Sequence, residues 1–313
     1  MVGLYPLFAV GVVASILVVI FLGSVIRSLL RMTGVAAGVP LGALSPWRRR
    51  LRISMLITGV AILAAIPWAF VEPYFPRVET ILLHAKKVSR PFRIVQLSDL
   101  HCDPELRAES RVIEKVRTLK PDLVVFTGDA VNSDAGIPNF RNTMKAISRI
   151  APLYGVRGNW EAWWFTHVDT FRGSGIKELN GTSKRLTLNG QPIWIGGCAV
   201  DNEGVMKRML KSMPKDAYRI VLHHYPAASR LVDGRADLLL TGDTHGGQIS
   251  LPFIGALVRI SRWDRTFYPA GLHRTQRGLT FYVNRGIGME GRHVPRIRFN
   301  CPPEIALFEI RPL

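Results

Sequence analysis

The sequence predicts an α/β domain, with sheets enclosed by helices, preceded by membrane-spanning helices. Three observations lead there. From residue 90 onward, short β-rich runs alternate with segments of helical period. Five of the strand-like runs are followed at once by Asp, Asn or His. The first quarter of the chain instead holds two long uncharged apolar stretches.

The first stretch, Tyr5–Ile26 (YPLFAVGVVASILVVIFLGSVI), is long enough for a helix to cross a hydrocarbon core, which takes about 20 residues. Nothing positive precedes it and it exceeds a signal-peptide apolar region, so an anchor is expected rather than a cleaved leader. The second, Ile53–Val71, is just long enough, and Pro67 would kink it without forbidding insertion. Between them stands the basic segment WRRRLR, which the positive-inside rule assigns to the cytoplasm. Two full spans would put both the N-terminus and the α/β domain outside. A second segment lying in the interface would keep it inside, as Lys86, Lys87, Arg90 and Arg93 favour.

The formal charge is +18. Arg27, Arg31, Arg48, Arg49, Arg50 and Arg52 fall in residues 1–52, where there is no acid. Such a surplus favours a polyanion, nucleic acid or an anionic bilayer, and the apolar N-terminus tilts the choice to membrane. Cys102, Cys198 and Cys301 form no CxxC pair or disulfide framework.

Beyond the anchor, Phe92–Leu97 (FRIVQL) is a strand, and Arg107–Leu119 has helical spacing with Val112, Ile113, Val116 and Leu119 on one face. Leu123–Thr127 is a continuous apolar run, as in a strand covered on both faces. Met144–Ile150 is helical. Further strands are expected at Leu153–Arg157, Arg185–Leu188, Pro192–Ile195, Arg219–Leu222 and Asp237–Leu240. There is no internal repeat and no low-complexity linker.

The chemistry lies in the segments just after the strands. In order these are Ser98-Asp99-Leu100-His101, Gly128-Asp129, Gly158-Asn159-Trp160-Glu161, His223-His224-Tyr225-Pro226 and Gly242-Asp243-Thr244-His245. Glycine before three of the polar residues permits tight turns that aim side chains at one point. Mixed carboxylate and imidazole donors suit Mn, Fe or Zn, and a shared carboxylate suits a binuclear site. Each piece alone is an ordinary loop residue; five in order are a constellation.

These motifs resemble those of the calcineurin-like metallophosphoesterases, especially a bacterial membrane-associated branch, whose pattern runs DxH, GD, GNH with Asp or Glu, a lone His, and GHxH. The resemblance extends to the C-terminus through GGQ, Leu251–Leu257, Ala270–Leu272, Tyr282–Gly288 and Pro303–Ile305. It implies a four-layer α-β-β-α sandwich and two divalent metal ions, Mn first, with Fe, Zn or Mg as alternatives. Asp99, His101 and His245 would hold one ion, Asp129 would bridge, and Asn159, His224 and Asp243 would hold the other. His224 is preferred to His223 because the family's His usually stands two residues before a proline. Asp129 and Asn159 would carry catalysis, by in-line attack of an activated water. Arg157, Trp160 and His223 are candidates for contact with substrate.

Two departures stand out. Asp243 replaces the first His of GHxH, which would favour harder ions such as Mn or Mg. Trp160 replaces the His of GNH, which in the family is thought to assist the leaving group. Either the protein binds without cleaving, or its substrate carries a leaving group that needs no acid. The UDP-2,3-diacylglucosamine pyrophosphatases of this superfamily resemble it in lacking that His. The expected organisation is therefore residues 1–75 as anchor and 76–313 as hydrolase domain in the inner membrane, acting on a phosphate-containing, lipid-linked nucleotide. A phospholipid or other phosphodiesterase, or a degenerate metal-binding membrane protein, are the alternatives. Leu251–Arg274, mixing apolar, aromatic and basic residues, is a candidate lip at the bilayer. Nucleic acid is not the expected partner, because no base-stacking platform is evident. Oligomeric state is not addressed by the sequence.

Overall fold

The computed structural model describes residues 44–200, 202–251, 253–257, 268, 270–291 and 296–313, with residues 27, 29–31, 38 and 40. The apolar segment Tyr5–Ile26 lies outside the described residues, as does most of the stretch between residues 258 and 269. The chain divides into two compact units, Met1–Pro67 and Trp68–Leu313. The second predicted apolar segment falls within one helix, α1 (Pro46–Val71), which has Pro67 inside it. With the short turn beyond it, Pro46–Tyr74 is long and apolar enough to cross a membrane by length and composition.

Two six-stranded mixed sheets form the second unit. The first contains, in spatial order, β1 (Arg77–Ala85), β14 (Glu304–Pro312), β2 (Phe92–Leu97), β3 (Leu123–Phe126), β4 (Leu153–Gly155) and β5 (Lys177–Glu178). The other contains β12 (Gly271–Arg274), β13 (Thr280–Val283), β9 (Leu238–Thr241), β8 (Tyr218–Leu222), β7 (Gln191–Gly197) and β6 (Thr182–Leu188). A small hairpin, β10 (Ser250–Leu251) and β11 (Gly255–Ala256), stands apart from both.

The layers arise from where each strand's apolar side chains go. Ile94, Leu123, Val125 and Phe308 of the first sheet meet Ile195, Ile220, Leu222, Leu238 and Tyr282 of the second in one buried core. On the first sheet's other face, Val95, Val124 and Phe126 pack on Val112 and Val116 of α2 (Glu109–Leu119) and on Phe140 and Met144 of α3 (Ile137–Ser148). On the second sheet's outer face, Val221, Leu239 and Phe281 pack on Met206, Met209 and Leu210 of α5 (Glu203–Ser212). Strands buried on both faces must be apolar throughout, which is why LVVF and LLLT show no alternation. The result is helix, sheet, sheet, helix.

Two features escape local sequence patterns. The β1 strand begins right after the predicted anchor and pairs in parallel with β14, from Arg77 beside Glu304 to Ala85 beside Pro312. After β4, Asn159–Trp163 forms a short helix, α4, so the predicted strand ends at Gly155. Gln96 ties the sheets together at one end. Its buried amide donates to Thr127 Oγ1 at 3.1 Å and to the Thr241 carbonyl at 2.8 Å. The loops after β2, β3, β8 and β9 gather at that end, the place where α/β folds carry their sites.

Candidate metal centre

Asp99, His101, Asp129 and His245 offer ligand atoms that all lie within 4.8 Å of one another, and all four residues are buried. His224 joins them. Its Nε2 is 3.4 Å from Asp129 Oδ2 and 3.6 Å from Asp243 Oδ1. The same Asp129 oxygen is 3.5 Å from His101 Nε2, so it stands between two sets of donors. Asn159, at the start of α4, presents a buried Oδ1 with no hydrogen-bond partner.

Backbone geometry is the cost of this convergence. Asp99, His101, Asp129, Asp243 and His245 all have φ between 40° and 72°. Each such non-glycine residue is strained by about 1–3 kcal/mol and persists only where its surroundings over-determine it. Here the loops brace one another. Asp99 N–H donates to Gly128 O at 2.9 Å, His101 N–H to Asp129 O at 3.1 Å, and Gly288 N–H to Asp99 O at 2.7 Å. Gly158 is needed for space, since a Cβ there would sit 2.1 Å from Asp129 Oδ1. Gly128 is needed for both reasons, with φ +103° and the Gly158 nitrogen 2.5 Å from a would-be Cβ.

Supporting groups fix the imidazoles. The Thr127 carbonyl lies 2.7 Å from His224 Nδ1, which sets the proton there and turns Nε2 towards the acids. Asn132 Oδ1 does the same for His101 at 3.0 Å, while the Asn132 amide donates to the carbonyls of His101 and Met289. Burial works against the Asp129 carboxylate, yet His224 and His101 hold it well below the usual range. Burial also disfavours charge on His224, but Asp129, Asp99 and Asp243 raise it well above an ordinary histidine. Burial, with His101 and Arg298 beside it, drives His245 the other way.

The fit to metal can be judged from the atoms themselves. His101 Nε2 and His224 Nε2 are buried and make no hydrogen bond, as is Asn159 Oδ1. An unpartnered buried polar atom costs about 1–3 kcal/mol, and the two imidazole nitrogens face the Asp129 carboxylate at 3.5 and 3.4 Å, a mixed donor set that suits a divalent cation. These Asp and His residues could hold two ions sharing Asp129.

The three residues expected at the substrate are placed differently. Arg157 is engaged by two acids. Its guanidinium donates to Glu178 at 2.9 and 3.0 Å and to Asp169 at 2.7 Å, and lies over the Phe171 ring. Glu178 above all, with Asp169, holds its pKa above normal despite burial. Trp160 is 3% exposed and belongs to the core of the first sheet, stacked on Phe165 and edge-on to His101, so its ring backs a ligand instead of lining an open pocket. Trp163 and Trp164, by contrast, are exposed. His223 accepts the Tyr225 N–H at 3.0 Å and lines a cleft of about 480 Å³ with Asn202, Met206 and Arg230. Burial first, and His224 next to it, push its pKa down to about 4.

Two further residues, outside the proposed ligand set, brace these loops. Glu161 is 2% exposed and accepts the N–H groups of Asp129, Ala130 and Gly158 at 3.0, 2.7 and 2.7 Å, so one carboxylate clamps two ligand loops. Burial and the Asp129 charge raise its pKa, while the three N–H groups oppose them. Its local signals are its place three residues after Gly158 and its match to the acid that follows GNH in the family pattern. Arg298 is fully buried and donates to the carbonyls of Arg285, Gly286, Gly288 and Cys301. It thereby holds the turn that packs against Asp99. Nothing in its sequence surroundings announces that role.

Comparison with known proteins agrees with this geometry. The model of the calcineurin-like phosphoesterase family matches residues 92–247, which contain every proposed ligand. The uncharacterized metallophosphoesterase YkuE of Bacillus subtilis is 31% identical over 238 residues, covering 70% of this chain and 79% of that protein. An uncharacterized metallophosphoesterase of Aquifex aeolicus is 28% identical, covering 78% of this chain and 95% of its own. The phosphodiesterase YaeI of Escherichia coli is 29% identical, covering 77% and 90%. With ligand-bearing loops at the ends of two facing sheets and relatives matched over most of their length, the chain belongs to the calcineurin-like phosphoesterases and is a metal-dependent phosphoester hydrolase.

Proposed function

We propose that this chain is a membrane-bound, two-metal hydrolase of a phosphodiester or pyrophosphate bond in a lipid-linked substrate. UDP-2,3-diacylglucosamine, releasing UMP, is the first compound to test. The observation that carries this reading is Trp160. The indole fills the space beside His101, so no imidazole stands there to protonate a leaving group.

Bound at the centre, two divalent ions, with Mn the first choice, would supply an ionisable water and neutralise charge developing on phosphorus. The chain's own residues do the rest. Asp99, His101 and His245 would hold one ion, Asn159, His224 and Asp243 the other, and Asp129 would serve both. Trp160 N–H fixes the second Asp129 oxygen at 3.0 Å. The Asn159 amide would orient a phosphoryl oxygen. Without a proton donor at residue 160 the leaving group departs as its own anion. An alkoxide is a poor one, and a phosphate-stabilised group such as a nucleoside monophosphate is good. The name of the Escherichia coli relative, a phosphodiesterase, supports the diester class. The apolar helix within Pro46–Tyr74 and the arginines in its first turns, Arg48, Arg49, Arg50 and Arg52, support the membrane.

The test is hydrolysis in detergent with Mn of UDP-2,3-diacylglucosamine, bis-p-nitrophenyl phosphate and an alkyl phosphomonoester, with Asp129→Ala as control. Mn-dependent UMP release that disappears in the variant supports the proposal. Turnover of the alkyl monoester at a rate equal to the activated diester would refute the argument from Trp160.

A further inference from the structure

Among the described residues of the catalytic unit, the largest unexplained apolar exposure is on the β10–β11 hairpin. Phe253 at its tip is fully exposed, Ile254 is 71% exposed and Leu257 is 52% exposed. No charged residue occurs from residue 250 to 257. Phe253 also has φ 67°, a conformation in which turns ordinarily place Gly or Asn. In water this turn is doubly unfavourable, strained in its backbone and exposing an aromatic ring. The exposure of the ring is understandable if the tip is not in water.

The hairpin's base shows what lies beside it. Ser250 N–H donates to Phe299 O at 2.9 Å, and Phe299 N–H to Gln248 O at 3.0 Å. The preceding residue, Arg298, donates its N–H to Ala69 O at 3.1 Å, and Cys301 N–H donates to Glu72 Oε2 at 3.2 Å. The same short segment therefore holds both the hairpin and the last turn of the apolar helix. That turn exposes Trp68, Phe70 and Val71, and Tyr74 and Phe75 are exposed just beyond it. Arg111 grips this exit, donating to the Tyr74 carbonyl at 2.9 Å with its guanidinium 4.8 Å from the centre of the Phe75 ring. Aromatic rings with arginine at the end of an apolar helix are the usual furniture of a membrane–water interface.

Resting on the membrane-bound reading above, we infer that the β10–β11 hairpin is a second membrane contact. Phe253, Ile254 and Leu257 enter the boundary between headgroups and acyl chains beside the end of α1. Interfacial elements of this kind bury their apolar face about 5–10 Å deep. The consequence concerns the metal centre. Gln248, where the hairpin begins, is three residues past His245, and its side chain accepts the Glu290 N–H at 2.7 Å. A hairpin seated in the bilayer would hold the His245 loop near the headgroups, where the phosphate of an amphiphile lies. A soluble phosphoester needs no such contact.

The full-length protein is reconstituted into vesicles of phosphatidylcholine and phosphatidylglycerol, three to one by composition. Cys102, Cys198 and Cys301 are all buried, so a cysteine introduced by Phe253→Cys can be labelled selectively with an environment-sensitive fluorophore. The expected result is blue-shifted emission quenched by lipids spin-labelled high in the acyl chain, with no quenching at Lys215→Cys. Adding Ile254→Asp, and moving the label to Leu257→Cys with Phe253→Asp, should abolish the quenching. Flotation of the same samples reads the anchor separately. Protein that floats with an unquenched, water-exposed label at 253 overturns the hairpin inference and leaves the membrane reading intact. Protein that does not float overturns both. A blue shift without lipid quenching would mean that the tip is covered by protein, which also overturns it.

Discussion

The imidazole of His101 and the indole of Trp160 meet edge to face, with centroids 4.7 Å apart and planes at 85°. One of the two residues that depart from the family pattern thus packs a candidate ligand in place. Trp160→Phe should retain the contact and most metal affinity. Trp160→Ala should cost about 3–5 kcal/mol of stability, as large core truncations do, and loosen His101. Trp160→His should raise turnover of an alkyl phosphomonoester by about tenfold or more relative to the activated diester, because it restores a proton donor. Thermal melts, metal content and the ratio of the two rates check the three variants.

Glu161→Gln is the sharper test of loop positioning. The carboxylate accepts three backbone N–H groups, and an amide offers one acceptor oxygen in their place. The variant should lose about 10–100-fold in metal affinity or activity, as removal of outer-shell partners does. Mn titration followed by calorimetry measures the affinity.

Arg298→Met removes a fully buried cation whose donors go to four backbone carbonyls. The Gly286 carbonyl keeps the Glu304 N–H at 3.0 Å, and each of the others that finds no substitute would cost about 1–3 kcal/mol. Denaturant unfolding should show a loss of several kcal/mol, and hydrolysis should fall with it, because Gly286 and Gly288 pack directly on Asp99, Leu100 and His101.

Alkaline pH should destabilise the domain through its buried phenols. Burial first, with Asp237 near Tyr218 and Glu304 near Tyr282, raises the pKa of both above the ordinary 10.0. The unfolded chain then ionises first. This stability is fully present below pH 10 and is lost as pH rises above it, by about 1.4 kcal/mol for each tyrosine per pH unit. Tyr218→Phe should flatten that decline while leaving melting at pH 8 nearly unchanged.

Metal removal should act on both activity and stability. Chelation should abolish hydrolysis and lower the melting temperature, and Mn should restore both. A ligand present at 100 times its Kd adds about 2.7 kcal/mol to the folded state. Asp129→Ala should melt at the same temperature with and without Mn.

The alternation of elements and the order of the ligand motifs were legible in the amino-acid sequence, because both are local. Apolar runs such as LVVF report burial on two faces, and Gly-Asp or Gly-Asn at a strand end reports a tight turn. What distant segments do to one another was settled by the fold alone. Whether Arg157 would meet a phosphate or an acid depended on Asp169 and Glu178 folding against it. Trp160 could have lined a pocket or backed a histidine, and only packing on His101 and Phe165 chose. The β1 pairing with β14, the Arg298 brace and the Glu161 clamp join residues through hydrogen bonds formed on chain closure. Periodicity describes a residue's own segment. The partners of a buried polar group are fixed only when the sheets close on each other.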